Sequence, residues 1–128
     1  MLQIAELLGR MSLGNNFQPQ GFLEKAAKKA ISDVYGNIPG DPVQLFIDNG
    51  ILTRRQSIAT FYLRFNMDTL SEYLAASKLY DEHNTDPQQL SDFKTQINNL
   101  DNAALEFKLA FIQISDYTMI HWIVPAFS

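Results

Sequence analysis

The spacing of apolar residues changes abruptly near the middle of this chain. Residues 51–65, ILTRRQSIATFYLRF, follow a period of two, whereas the flanking segments place apolar residues three and four apart. Alternation is typical of a half-buried strand, and the longer period of an amphipathic helix. We therefore predict two strands within 51–65, with a turn near residues 54–57. One face of the second strand would carry Ala59, Phe61, Leu63 and Phe65.

Helical spacing predicts helices on both sides of these strands. Before them, we expect helices over 1–13, 22–35 and 42–49; after them, helices starting near 68, near 87 and over 102–123. Asp41 and Asp86 each precede a proline. An Asp-Pro sequence is typical of a helix start, with Asp as the N-cap and Pro as the first helical residue.

The helix that follows the strands starts at a different signal. Asp68 or Thr69 would cap it, and Thr69 with Glu72 fits a capping box. Its inner face would carry Leu70, Tyr73, Leu74 and Ser77.

The order of elements predicts a mostly α fold. Three helices followed by a two-stranded β-hairpin form a winged-helix-like module, which we assign to residues 1–80. A lone hairpin is marginally stable in water, so this one must pack on the helices. Residues 81–128 would form a helical extension packed on that module, the start of a helical sensor or superhelical region.

The charge and the cysteine content restrict the classes of function that the chain can have. Ten Lys and Arg against fourteen Asp and Glu give a net charge of −4, and Lys25, Lys28 and Lys29 form the one obvious basic cluster. Nucleic-acid binding is therefore disfavoured, because phosphate contacts need clustered cations. The chain has no cysteine, which excludes disulfides and thiolate ligands and fits a cytoplasmic location.

No segment is predicted to span a membrane. The most apolar stretch, residues 109–127, is interrupted by Gln113, Asp116 and His121. Each charged residue at the centre of a bilayer costs about 2.5–3.5 kcal/mol on insertion scales. We therefore interpret this stretch as a helix buried in protein.

The sequence predicts no catalytic, cofactor or metal site. His83 lies in the polar stretch DEHNTD near Asp81, Glu82 and Asp86, and we interpret it as a solvated loop residue, since no second His lies nearby. His121 lies among aromatic residues and is interpreted as a packing residue. The sequence also lacks a phosphate-binding P-loop motif.

Residues 50–79 resemble the end of the winged-helix region in NACHT-type STAND signal-transducing ATPases. Gly50-Ile51-Leu52 matches the family's short apolar phrase, and Tyr62 or Leu63 with Phe65 matches its strand end. Glu72-Tyr73-Leu74-Ala75-Ala76 matches the helix that follows, and Asp68, Leu70 and Glu72 match a bacterial version of it.

The resemblance implies a non-catalytic regulatory domain that clamps an ATPase core and relays sensing. Its partners would be the ATPase core and the sensor region of the same parent protein, with the P-loop outside these residues. We expect the chain to be part of such a longer protein. The contact face would be formed by Phe65, Met67, Asp68, Glu72 and Tyr73.

Met67 departs from the family pattern. It occupies the position of a His that contacts nucleotide in resting family members, and a thioether cannot donate a hydrogen bond to phosphate. The resemblance therefore implies either a packing contact at this point or a nucleotide contact made through another donor.

Two other classes of function stay open. In a winged-helix DNA-binding domain, Arg54, Arg55 and Arg64 would contact the phosphate backbone, although Asp48 in the third helix would oppose it. In a small helical adaptor or oligomerisation domain, Trp122 and Phe127 would form the partner surface.

Overall fold

The computed structural model of the chain describes residues 1–100 and 104–115, and it is mostly helical with a small antiparallel sheet, as predicted. The elements, in chain order, are α1 (Leu2–Leu13), a 3-10 turn (Gly14–Asn16), β1 (Phe22–Leu23), α2 (Glu24–Tyr35), α3 (Pro42–Asp48), β2 (Leu52–Ser57), β3 (Thr60–Phe65), α4 (Asp68–His83) and α5 (Pro87–Asn98). A further helix, α6, covers residues 105–115, up to the end of the described part of the chain.

Two of the predicted helix starts are confirmed in atomic detail. The Asp41 side chain accepts a hydrogen bond from the backbone N–H of Gln44 at 3.2 Å, and Asp86 accepts one from Gln88 at 3.0 Å. Each satisfies a backbone N–H that the first turn of a helix leaves without an intrahelical partner.

The predicted cap of α4 is wrong. The residue at its N-cap is Met67, whose side chain makes no capping hydrogen bond. Asp68 is the first helical residue, where its negative charge suits the helix dipole. It pairs with Arg64 at 3.4 Å.

The predicted β-hairpin is confirmed as β2 and β3, and the two-residue strand β1, which was not predicted, makes a three-stranded sheet in the order β1-β3-β2. Phe22 pairs with Leu63, and Leu23 pairs with Tyr62. The predicted helical start at residue 22 is therefore wrong, since α2 begins at Glu24. The added strand covers one edge of the hairpin and buries the Phe22 ring against Phe65, with centroids 6.3 Å apart.

The hairpin turn is Ile58–Ala59 and does not lie at residues 54–57. Ser57 pairs with Thr60, so β2 continues through the segment predicted to turn. Ile58 has a φ of 56° and is 96% exposed. A positive φ is rare for a β-branched residue, and the sequence therefore gives no signal for a turn here.

Side chains from α1, α2, α3, the sheet and α4 form a first apolar cluster. It consists of Ile4, Leu8, Phe22, Ala27, Ile31, Val43, Phe46, Leu52, Leu63, Phe65 and Leu74. Leu63 and Phe65 are buried as the alternation predicts, but Phe61 on the same strand face is 43% exposed. It lies near the turn, and its ring faces the guanidinium of Arg54, 5.8 Å from the ring centroid.

A second apolar cluster joins α1 and α4 to the later helices. It consists of Leu13, Phe17, Ala75, Ala76, Leu79, Tyr80, Phe93, Ile97, Ala104, Phe107 and Phe111. Phe17 stacks on Phe107 with centroids 4.8 Å apart. The helices after residue 80 are thus packed on the module through α4 and the end of α1.

Helices α1 and α4 approach closely at Gly9. A Cβ added there would lie 2.6 Å from the Cβ of Leu74 and 3.1 Å from the backbone nitrogen of Ala75. The hydrogen side chain of Gly9 is what permits this approach.

Several predictions fall outside the described residues. These are the ends of the predicted helix over 102–123 and the roles given to Asp116, His121, Trp122 and Phe127. Within the described part of the chain, no helix combines the length and the apolar character that crossing a membrane requires.

Candidate functional site

The predicted contact face lies at the corner where β3 turns into α4. Asn66 holds this corner: its backbone N–H donates to the carbonyl of Ile51 at 3.0 Å, and its side-chain Nδ2 donates to the carbonyl of Gly50 at 2.7 Å. Thr53 donates to the Oδ1 of the same side chain. Sequence reasoning gave no role to the Asn66 side chain, whose amide bonds both Gly50 and Thr53 because it carries a donor and an acceptor.

The structure divides the five predicted contact residues into two groups. Phe65 is 3% exposed and belongs to the first apolar cluster, so it positions the corner and does not reach the surface. Met67 is 62% exposed and Tyr73 is 52% exposed. The prediction that Tyr73 lies on the inner face of α4 is wrong, and this exposure makes the ring available to a partner.

Glu72 lies in a shallow cleft between α4 and α6. The cleft has a volume of about 200 Å³, and Glu72 lines it with Thr69, Tyr73, Glu106, Leu109, Ala110 and Gln113. Glu72 is only 6% exposed, whereas Leu109 at the edge of the cleft is 53% exposed. We call Met67, Asp68, Glu72, Tyr73 and Leu109 the α4–α6 face.

The electrostatics of the cleft are unfavourable to a carboxylate. Burial raises the pKa of Glu72, and the negative charges of Glu106 and then Asp68 raise it further. Among the described residues, none donates a hydrogen bond to Glu72 or forms an ion pair with it. No described residue therefore offsets the cost of partly desolvating this charge.

The hairpin arginines are mostly engaged within the chain. Arg54 donates to the Glu24 carboxylate and, from Nη1, to Gln44 Oε1 at 3.2 Å. Arg64 pairs with Asp68, while Arg55 is exposed. Two of the three cations proposed to contact DNA therefore already have acidic partners.

Two of the three lysines in the basic cluster on α2 are also paired. Lys28 lies 3.7 Å from the Asp41 carboxylate, and Lys29 donates to Asp33 at 2.7 Å. In α3, Asp48 accepts a hydrogen bond from Gln44 at 2.8 Å. The hairpin and α3 thus present a surface of mixed charge, which does not favour nucleic acid.

His83 does not lie in a solvated loop, so that prediction is wrong. It is the last residue of α4, and its ring stacks on Phe93 with centroids 3.9 Å apart. Its Nδ1 lies 2.7 Å from the Leu79 carbonyl oxygen. In the part of the chain that the structure describes, no three His, Asp or Glu side chains are grouped to hold a metal ion.

No protein-family model, curated protein or solved structure matches this chain. The resemblance to NACHT-type ATPases therefore depends on the motif residues alone. The geometry of the α4–α6 face is a separate observation, made on the described residues themselves.

Proposed function

We propose that this chain is a non-catalytic regulatory domain of a NACHT/STAND-type nucleotide-switch ATPase. Its α4–α6 face would contact the ATPase core of the same parent protein in the resting state. The domain would move away as a rigid body when nucleotide exchanges, biased by the different contacts made in each position. We place this activity in the cytoplasm, where a cysteine-free chain is at no disadvantage.

The observation that carries the proposal is the contrast within the α4–α6 face. Two large side chains near the start of α4, Met67 and Tyr73, are exposed, whereas Glu72 is buried and has no partner among the described residues. Exposed apolar and aromatic side chains around a desolvated centre are typical of protein interfaces. The resemblance places the contact with the ATPase core in this same stretch.

The rigid corner supports a role in transmitting motion. Asn66 links both strands to the start of α4, and Leu74 and Leu79 anchor that helix in the two apolar clusters. A force applied at Met67 or Tyr73 would therefore move the sheet and helices together. A flexible attachment would absorb such a displacement.

The first test is the reading frame that encodes this chain. The proposal expects a P-loop sequence upstream in the same frame, since the ATPase core would supply the phosphate-binding site. A frame that contains no P-loop module would contradict it.

The second test measures binding of that ATPase core to this domain by calorimetry, in ADP and in ATP. We expect tighter binding in ADP and a loss of at least about fivefold with Tyr73→Ala, since buried interface tyrosines commonly contribute more than 1 kcal/mol. Tyr62→Ala is the matched control, because Tyr62 is 41% exposed but lies on β3. Equal binding in both nucleotides, or equal effects of the two variants, would overturn the clamp.

A further inference from the structure

We infer that the cleft between α4 and α6 receives a lysine or arginine side chain from a protein partner, with Glu72 as its counter-ion. This inference rests on the proposed function, since it specifies the chemistry of the partner that binds the α4–α6 face. It adds a recognition element that the motif resemblance does not contain. Three properties of the cleft support it: its charge, its size and its apolar rim.

The first property is charge. Glu72 is 6% exposed, lines the cleft and has no partner among the described residues. Glu106 lines the same cleft, and both Glu106 and Asp68 act on Glu72 with charge of the same sign. A partner cation would offset the desolvation of Glu72 and form a charge-assisted hydrogen bond, which is roughly twice as strong as a neutral one.

Nearby cations do not remove this imbalance. Arg64 pairs with Asp68 at 3.4 Å, and Lys108 on α6 donates to the carbonyl of Leu100. Each is therefore directed at another group, and the acidic character of the cleft remains available to an incoming side chain.

The second property is size. A volume of about 200 Å³ suits a single side chain, whereas small-molecule sites commonly occupy roughly 300–1,000 Å³. A metal ion is disfavoured, since the described residues hold no group of three side chains with metal-ligating chemistry.

The third property is the apolar rim of the cleft, which indicates a protein partner. Tyr73 and Leu109 line the cleft and are 52% and 53% exposed. Lysine and arginine carry an aliphatic stem that packs on such residues while the charged head reaches a counter-ion. A tyrosine ring also attracts a cation placed over its face. A small inorganic ion would leave this rim uncovered.

The test is an NMR titration of the full chain with two capped tripeptides, acetyl-Leu-Arg-Leu-amide and the same peptide with citrulline. Citrulline has the shape of arginine without its charge. We expect the arginine peptide to cause saturable shifts of amides in α4 and α6 and to bind at least about fivefold more tightly, given the strength of hydrogen bonds between charged groups.

Two variants make the result specific. Glu72→Gln keeps the shape of the side chain and should weaken the arginine peptide to the affinity of the citrulline peptide. Asp81→Asn is the matched control, because it removes one negative charge from an exposed position on the same helix and should leave binding unchanged. Dispersed amide spectra of both variants would establish that they fold.

The inference is overturned by equal affinity of the two peptides, by unchanged binding to Glu72→Gln, or by no saturable shift in α4 and α6. Its failure is distinguishable from that of the proposed function. If the ATPase core binds Glu72→Gln normally but not Tyr73→Ala, the clamp stands and the cation site falls.

Discussion

Arg54 on β2 reaches across to Glu24, the first residue of α2, and donates to its buried carboxylate. The bond from Nε is 2.9 Å long, and a second comes from Nη2. The two residues are 30 positions apart in the chain, and the Glu24 side chain is only 9% exposed. The pair therefore fastens the hairpin to the start of α2.

Removing Arg54 should destabilise the fold. In Arg54→Ala the Glu24 carboxylate stays buried without its main donor, and we expect a loss of about 1–3 kcal/mol in the free energy of unfolding. Urea denaturation measures this loss. Arg55→Ala is the control, because Arg55 is exposed on the same strand and its removal should change little. Equal losses in both variants would mean that the Arg54–Glu24 pair contributes nothing specific.

Gly9→Ala should destabilise the contact between α1 and α4. An added Cβ would meet Leu74 Cβ at 2.6 Å and the Ser71 carbonyl oxygen at 3.2 Å, so the helices must separate. We expect a loss of about 1–3 kcal/mol from overpacking. An unhindered glycine inside a helix would instead gain about 1 kcal/mol on the same change. The sign of the shift in thermal midpoint therefore decides between the two.

Ile58→Gly should stabilise the hairpin. Ile58 has a φ of 56° and its side chain is 96% exposed, so the change relieves backbone strain and removes almost no packing. We expect a gain of about 0.5–1 kcal/mol, since glycine adopts a positive φ without steric cost but loses more entropy on folding. Ala59→Gly is the control and should be neutral or destabilising. A higher melting temperature for Ala59→Gly than for Ile58→Gly would contradict this.

Glu72 should make the protein less stable as the pH rises. Its pKa is raised in the folded state by burial, Glu106 and Asp68, so the folded protein holds its proton to higher pH than the unfolded chain does. By linkage, the penalty is absent below the ordinary pKa of Glu, about 4.3. It develops as the pH rises to the raised value and is complete above it.

The measurement is the pH dependence of the unfolding free energy for the wild type and Glu72→Gln. Glutamine does not ionise, so its stability relative to the wild type should improve from about pH 4 to pH 7. Asp81→Asn should show no such trend. A relative stability of Glu72→Gln that declines over this interval would show that the carboxylate is favourably held in the fold.

Local sequence signals were sufficient to predict elements whose start depends only on neighbouring residues. Asp41-Pro42 and Asp86-Pro87 start helices because both the cap and the restricted φ are local properties. The alternation of residues 51–65 also predicted the strand pair. Strand β1 was not predictable, because two residues show no period and Phe22 extends only by pairing with Leu63.

The side of α4 on which each predicted contact residue is buried or exposed was not predicted. A helix with one buried face would place Tyr73 and Leu74 inward together, but α4 is covered on several sides by α1, α5 and α6. Its buried residues consequently include Ser71, Glu72 and Ala76, which lie outside a single apolar stripe. The exposure of Tyr73 and the burial of Glu72 depend on α6, which the residues of α4 alone do not encode.

Leu8 and Leu13 belong to one helix but to different apolar clusters, and α4 likewise contributes Leu74 to the first and Leu79 to the second. Unfolding of either helix would therefore disrupt both apolar clusters. The domain should accordingly melt in a single cooperative transition, with the slowest-exchanging amides shared by α1 and α4. Because both clusters share these two helices, a displacement of one cluster should be transmitted to the other.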